Sequence, residues 1–375
     1  MRFKDIIGQE EAVHHIQDAI ANNRLAHALL LVGPSGVGSL ALAVALTQYV
    51  NCLNPTSDHD SCGKCSSCIK IAKGVHPDIK YVLPIFSKTE GGKRLLSDSF
   101  FDQFRSHFFE DPYFSLDNWQ ETLGGVNKQL FISVHEIREL KKGIYLKSFE
   151  AKYKVLIIWH AELINKEGAN AFLKLLEEPP ERTLIIMTCS DPSKLLTTIN
   201  SRCQRIRLSR IPKDQVQGYL QNQRGLPVEE AQDLALISEG SISQATALLS
   251  SHNQTLHHVY IEWLRAIYKG DYQDIQDHVG KILEESKEFQ KRFLQVAVRK
   301  MRDSLLYHLG VHQLALAPKK EQAFQENFAK VVNPDKVEEA VALIEDSLRA
   351  LTGNTNPQMV LTALSLRMHG ILRRA

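Results

Sequence analysis

Ala28-Leu29-Leu30-Leu31-Val32-Gly33-Pro34-Ser35-Gly36-Val37-Gly38-Ser39-Leu40 is the stretch from which the fold is read. Five apolar residues run without a polar break into a glycine-rich turn, as a parallel strand buried on both faces does. A helical run follows over residues 40–49. Strand, glycine turn and helix in that order frame a phosphate-binding loop, G-x-x-x-x-G-K-[ST]. Gly33, Gly36 and Gly38 permit the tight turn that aims backbone N–H groups at a phosphate. The side chains that carry the chemistry are missing. Ser39 stands at the lysine position and Leu40 at that of the magnesium-ligating hydroxyl. A charge-assisted hydrogen bond contributes about 1.5–3 kcal/mol, so losing both groups predicts severely weakened triphosphate binding.

Outward from the loop, Ala12, Val13, Ile16, Ala19 and Ile20 recur at helical spacing. Further buried-strand runs lie at 79–83, 155–159, 184–189 and 204–208, with helical patterns at 136–146 and 168–176 among them. Strands alternating with helices predict an open α/β sheet with crossover helices over residues 1–208. After the strand ending at Ile158, a nucleotide hydrolase places Asp-Glu to hold magnesium and orient water. Here Trp159 and His160 take those positions, and neither is a hard anionic ligand. His160 reads as a structural histidine at a strand end rather than a general base. Two defects in the two halves of one site argue against an ATPase.

Beyond Pro212 the strand signal stops. Residues 209–252 hold three short helical patterns, at 215–223, 228–237 and 242–249. Residues 253–375 carry long amphipathic ones, such as 289–309 and 337–351. Two stretches interrupt the α/β region. One is a cysteine cluster at 52–68. The other, about 84–128, opens with Thr89-Glu90-Gly91-Gly92 and is dense in aromatics: Phe100, Phe101, Phe104, Phe108, Phe109, Tyr113, Phe114 and Trp119. It reads first as a small local core or a cover for the sheet edge, and second as a surface that docks a partner.

Composition sets the outer limits. A chain of 375 residues with 43% hydrophobic and 23% charged content is expected to form two or three domains, and disorder and collagen-like structure are excluded. Lys+Arg 45 against Asp+Glu 43 leaves +2, which is no nucleic-acid footprint. Lys141-Lys142 and Arg205 with Arg207 are small basic groups of the kind that form solvated faces, so none is assigned to DNA. No run reaches the roughly 18 apolar residues of a membrane span. The charged N-terminus leads into a helical pattern rather than a signal core, so a cytoplasmic location is expected.

Six cysteines are too few for a disulfide framework, and four fall in the pattern Cys52-x9-Cys62-x2-Cys65-x2-Cys68. Four thiolates at this spacing can close a tetrahedral zinc shell, a structural one because no position stays open for water. His59 and His76 are alternative ligands, and an iron–sulfur cluster is an alternative occupant. Cys189 and Cys203 are expected to be buried, weakly reactive thiols.

Several segments together resemble the bacterial DNA polymerase III clamp loader subunits of the AAA+ class, and within them the delta-prime type. Phe3-Lys4-Asp5-Ile6-Ile7-Gly8-Gln9 resembles the N-terminal box of that family, and Arg24-Leu25-Ala26-His27-Ala28 the lead into its phosphate loop. Ala169-Asn170-Ala171-Phe172-Leu173-Lys174-Leu175-Leu176-Glu177-Glu178-Pro179-Pro180 resembles its helix ending in LEEPP. Asp191-Pro192 with Lys194-Leu195-Leu196, then Ser201-Arg202-Cys203, resembles the segment carrying its SRC motif. Asn356-Pro357 with Leu361 and Leu364 looks like its last collar helix. The likeness is strongest in the α/β region, and residues 84–128 lie outside it.

The resemblance implies an α/β AAA+ domain (1–208), a helical lid (209–252) and an all-α collar (253–375). It implies that Arg202 acts in trans, as an arginine finger in the ATP site of a neighbouring subunit. It also implies structural zinc on Cys52, Cys62, Cys65 and Cys68. Gly240-Ser241-Ile242-Ser243 resembles the sensor-2 motif, with Ser243 where the ATP-contacting arginine of the family would be. Together with Ser39, Leu40, Trp159 and His160, this departure fits a subunit that binds no ATP of its own. The implied assembly is a five-membered ring with gamma/tau-like and delta-like subunits that loads the sliding clamp on primed DNA. Two other readings are an active gamma/tau-like ATPase and a zinc-bearing DNA-binding adaptor.

Overall fold

The computed structural model describes residues 1–375 apart from Lys88, Gly91, Gly92, Val126, Asn127, Ser250, Ser251, Ser286, Leu316, Pro318, Asn354 and Ala375. The glycine pair at the start of the 84–128 insertion, and Ser250-Ser251 beside the expected 252/253 boundary, therefore lie outside the described residues. Contacts divide the chain into two units. The first is Met1–Val216 with Glu239–Gln244, and the second is Gln217–Ser238 with Ala245–Ala375.

Among the described residues, the first unit has seven strands: β1 (Ala28–Val32), β2 (Ile79–Val82), β3 (Thr89–Glu90), β4 (Lys93–Arg94), β5 (Lys154–Ile158), β6 (Thr183–Cys189) and β7 (Gln204–Arg207). Five of them form one sheet in the order β2-β5-β6-β1-β7, and every pairing in it is parallel. The three inner strands are apolar almost throughout, and β5 and β6 are buried at every residue. That pattern is what helices on both faces impose. At the edge, β7 alternates instead, with Ile206 buried and Arg205 and Arg207 exposed. Strands β3 and β4, two residues each, form a separate two-stranded ribbon.

Each expected strand and crossover helix is present, with ends displaced by at most three residues. Helix Ser39–Val50 follows the glycine loop, helix Val134–Ile144 precedes β5, and helix Lys166–Glu177 precedes β6. Ser133 and Asn165 cap the latter two, accepting from the Glu136 and Gly168 N–H groups. Leu156, Ile158, Phe172, Leu175, Ile185 and Met187 share one core. The parallel sheet with its crossover helices is the open α/β architecture expected from the sequence.

The second unit is helical among its described residues. Helices His252–Lys269, Tyr272–Glu284, Lys287–His308, Pro334–Thr352 and Pro357–Arg373 surround a core that includes Tyr260, Trp263, Phe293 and Met368. Trp263 Nε1 donates to Ser365 Oγ at 2.9 Å, so the largest buried ring there has its polar atom satisfied. No described helix is long and apolar enough to cross a membrane.

Candidate functional site

Within the first unit, parallel pairing brings the ends of β1, β5, β6 and β7 to one edge of the sheet, where ligands of open α/β sheets bind. The glycine loop starts there. Gly33 N donates to Cys189 O at 3.1 Å, which ties the loop to the end of β6. Gly36 and Gly38 have φ of +78° and +89°, a region that only glycine enters cheaply. The turn is therefore formed as the phosphate-loop pattern requires.

Segments distant in the sequence pack against the turn. A Cβ on Gly36 would lie 2.2 Å from Ser243 Oγ and 2.3 Å from Ser241 Oγ. Ser241 Oγ donates to Ser35 O at 2.9 Å, and Ile242 N donates to Gly36 O at 3.0 Å. Over Gly38 lies Tyr113, whose Cε1 would be 2.7 Å from a Cβ there. Its hydroxyl accepts from Ile7 N at 2.9 Å. Leu40 is buried at the start of a helix that is buried from there through Val50.

The position after β5 is closed as well. Trp159 is 3% exposed, with ring centroids 4.9 Å from Phe114 and 5.6 Å from Phe104. The aromatics of the insertion thus point inward: Phe100, Phe104, Phe108, Tyr113, Phe114 and Trp119 are buried, and Trp119 Nε1 donates to Pro84 O at 2.8 Å. The local-core reading of that stretch is the one the geometry favours. His160, at φ +58°, interacts through Nδ1 with Glu162 Oε1 at 2.9 Å, and its N–H donates to Thr188 Oγ1. Burial pushes the Glu162 carboxyl up. The hydrogen bond and charge of His160, with the Ser190 N–H at 3.0 Å, outweigh it and hold the group below its ordinary value.

Arg202 lies in a different setting, on the turn between helix Thr197–Asn200 and β7. Its side chain is 35% exposed. Nε donates to Glu177 Oε1 at 2.9 Å, Nη2 lies 2.6 Å from the same oxygen, and Nη1 donates to Thr198 O at 2.9 Å.

The four clustered cysteines meet, with all Sγ atoms within 4.8 Å of one another. Sγ of Cys62 and Cys68 are 3.9 Å apart, close to the roughly 3.8 Å edge of a tetrahedron with 2.3 Å zinc–sulfur bonds. Sγ atoms of Cys52, Cys62 and Cys65 accept from the N–H groups of Cys62, Cys65 and Cys68, contacts that favour thiolates. The Lys64 N–H foremost lowers the Cys62 thiol to about 6, whereas burial pushes Cys52 and Cys68 up. The donor set fits a four-coordinate soft metal and has no water position.

Neither His59 nor His76 joins the group. His76 Nε2 instead faces Glu150 Oε1 at 3.6 Å, and its Nδ1 accepts from Asp78 N. Cys189 is buried and Cys203 half-buried, and burial raises both thiols to about 12. Lys142 pairs with Glu139 at 2.8 Å, and Arg205 and Arg207 are exposed on the edge strand. Sequence reasoning named neither Tyr113 as the cover of Gly38 nor Glu177 as the partner of Arg202. Tyr113 was visible only as one of eight aromatics, and Glu177 only as a letter of the LEEPP motif.

Comparison with known proteins gives these groups a context. A family model described as "DNA polymerase III, delta subunit" matches residues 8–212. The DNA polymerase III subunit tau of Bacillus subtilis is 23% identical over 96% of this chain and 60% of its own length. The DNA polymerase III subunit gamma of Buchnera aphidicola is 27% identical over 66% of this chain and 57% of its own length. The chain thus spans at most about three fifths of these curated relatives. Among solved structures, a DNA polymerase III gamma subunit-related protein from Thermotoga maritima aligns over 96% of this chain and 99% of its own. The sequence identity is 16% and the TM-score 0.40.

Proposed function

The chain belongs to the DNA polymerase III, delta subunit family, and from that premise we propose that it is a delta-prime-like, non-hydrolysing subunit of a bacterial replicative clamp loader. The observation that carries the reading is the content of the phosphate-loop pocket. Ser241, Ser243 and Tyr113 press on the two glycines whose N–H groups would cradle a phosphate, and buried Leu40 replaces the metal-binding hydroxyl. A phosphate held at this loop would meet neither a lysine nor a metal-binding hydroxyl, since Ser39 and Leu40 stand there.

Arg202 supplies what this chain gives to the reaction. Its guanidinium is a cation whose planar fork matches a γ-phosphate. Offered to the ATP site of a neighbouring gamma/tau-like subunit, such a group accelerates hydrolysis by about 10³–10⁵, or about 4–7 kcal/mol of barrier. The ring, completed by a delta-like subunit, would then place the sliding clamp on primer-template DNA in the cytoplasm. Cys52, Cys62, Cys65 and Cys68 would hold zinc, which supplies a cross-link between residues 52 and 68 and no chemistry. Residues 209–252 serve as a lid and 253–375 as a collar in this scheme.

A second reading, an active gamma/tau-like ATPase, is favoured by the tau and gamma names of the relatives. Steady-state ATPase of the reconstituted ring with clamp and primed DNA separates the two. The expected result is no turnover by this chain alone and, in the ring with Arg202→Ala, a drop of about 10³-fold or more at the one ATP site that Arg202 completes. Turnover by the isolated, pure chain would establish the second reading instead.

A further inference from the structure

The geometry points to Glu177 as a positioning residue for Arg202, one that decides which edge of the guanidinium faces the neighbouring subunit. This inference rests on the reading of Arg202 as a finger in trans. Glu177 is the last residue of helix Lys166–Glu177, whose preceding residues Leu175 and Leu176 are buried in the sheet core. Pro179 and Pro180 follow and cannot continue the helix, so the carboxylate sits at a fixed end. Arg202 approaches from 25 residues further along the chain.

A guanidinium has five N–H groups in one plane: one on Nε and two on each Nη. Nε and Nη2 both lie within hydrogen-bond reach of Oε1 of Glu177, at 2.9 and 2.6 Å, so the carboxylate takes the side edge of the fork. Thr198 O takes one hydrogen of Nη1 at 2.9 Å. What remains is the second hydrogen of Nη2, together with the longer contact from Nη1 to Ser201 Oγ at 3.4 Å. That end of the fork is the one that can be exchanged for phosphate oxygens without breaking the stronger bonds. Arg202 and Glu177 side chains are 35% and 49% exposed, so the pair adds little to stability and its value is orientational. A long arginine on a surface turn otherwise samples many rotamers, and each must be frozen out in the transition state.

The test uses the complete reconstituted ring, with assembly checked by gel filtration, and compares Glu177→Ala, Glu177→Gln, Arg202→Ala and the double variant Glu177→Ala/Arg202→Ala. Glu177→Ala should lower kcat on the order of tenfold with KM for ATP nearly unchanged, because the finger acts on the transition state. Glu177→Gln keeps an acceptor oxygen and should recover most of that loss. The double variant should match Arg202→Ala alone, since Glu177 acts only through Arg202. Unchanged or raised kcat in Glu177→Ala, beside a large loss in Arg202→Ala, would overturn the role of Glu177 and leave the finger standing. A further loss in the double variant would also overturn it, by showing that Glu177 acts elsewhere. Unchanged turnover in Arg202→Ala would remove the finger reading, and this inference with it.

Discussion

The glycine loop after β1 and the Arg202 turn before β7 belong to neighbouring strands of one sheet, yet their surroundings differ in kind. Around the loop, serines, a tyrosine and a tryptophan pack inward until Leu40, Trp159 and Ser243 are all buried. Around Arg202 the side chains stay half in water and are held by hydrogen bonds rather than by packing. A nucleotide site needs space on the side of the phosphate loop, while a group offered to another subunit needs access. The first region is closely packed, and the second stays accessible. Substitutions should therefore divide cleanly, with stability lost at the loop and assembly chemistry lost at the arginine.

The strongest way to break that comparison is Trp159→Ala. Removing a 3%-exposed indole from among Phe104 and Phe114 should cost about 3–5 kcal/mol of unfolding free energy in urea titrations of the isolated chain. A cost under about 1 kcal/mol would mean that the pocket is loosely filled. Gly36→Ala should come next, at about 2–3 kcal/mol, because its Cβ would overlap two serine oxygens at a positive φ.

Glu162→Gln sharpens the same side through pH. The Glu162 carboxyl is depressed in the folded chain, so its contribution is fully present above the unfolded value near 4.5 and is lost as pH falls through the folded value. Denaturant midpoints should therefore show a penalty of about 1–2 kcal/mol at pH 7 that fades below about pH 4. The smallest effect belongs to the other region. Arg202→Ala should shift the stability of the isolated chain by less than about 0.5 kcal/mol, the value of an exposed ion pair, even where it removes most turnover at the ATP site that Arg202 completes.

The strands could be read from sequence because β1, β5 and β6 are apolar almost throughout, and burial on both faces leaves no other pattern. The cysteine cluster was legible for a similar reason, since short loops fix the approach of three of its four thiols. The contents of the pocket were not. Ser241 reaches Ser35 across 206 residues, and Tyr113 reaches Ile7 across 106. Nothing local in either segment states such a contact. The aromatic insertion shows the same limit, because eight rings within residues 100–119 suit a core or a docking face equally until their direction is known.

The sequence by itself determined what each position can do. Ser39 cannot hold a phosphate as lysine does, Trp159 cannot ligate magnesium, Arg202 can present a planar cationic fork, and the four cysteines can take a metal. Those are properties of side chains and survive any arrangement. Only the tertiary structure decided that Tyr113 and Ser243 close over the glycines, that Glu177 takes one edge of the Arg202 fork, and that His76 faces Glu150 instead of the thiols. The physical reason is that such contacts join residues far apart in the chain, and their geometry follows from how whole elements pack.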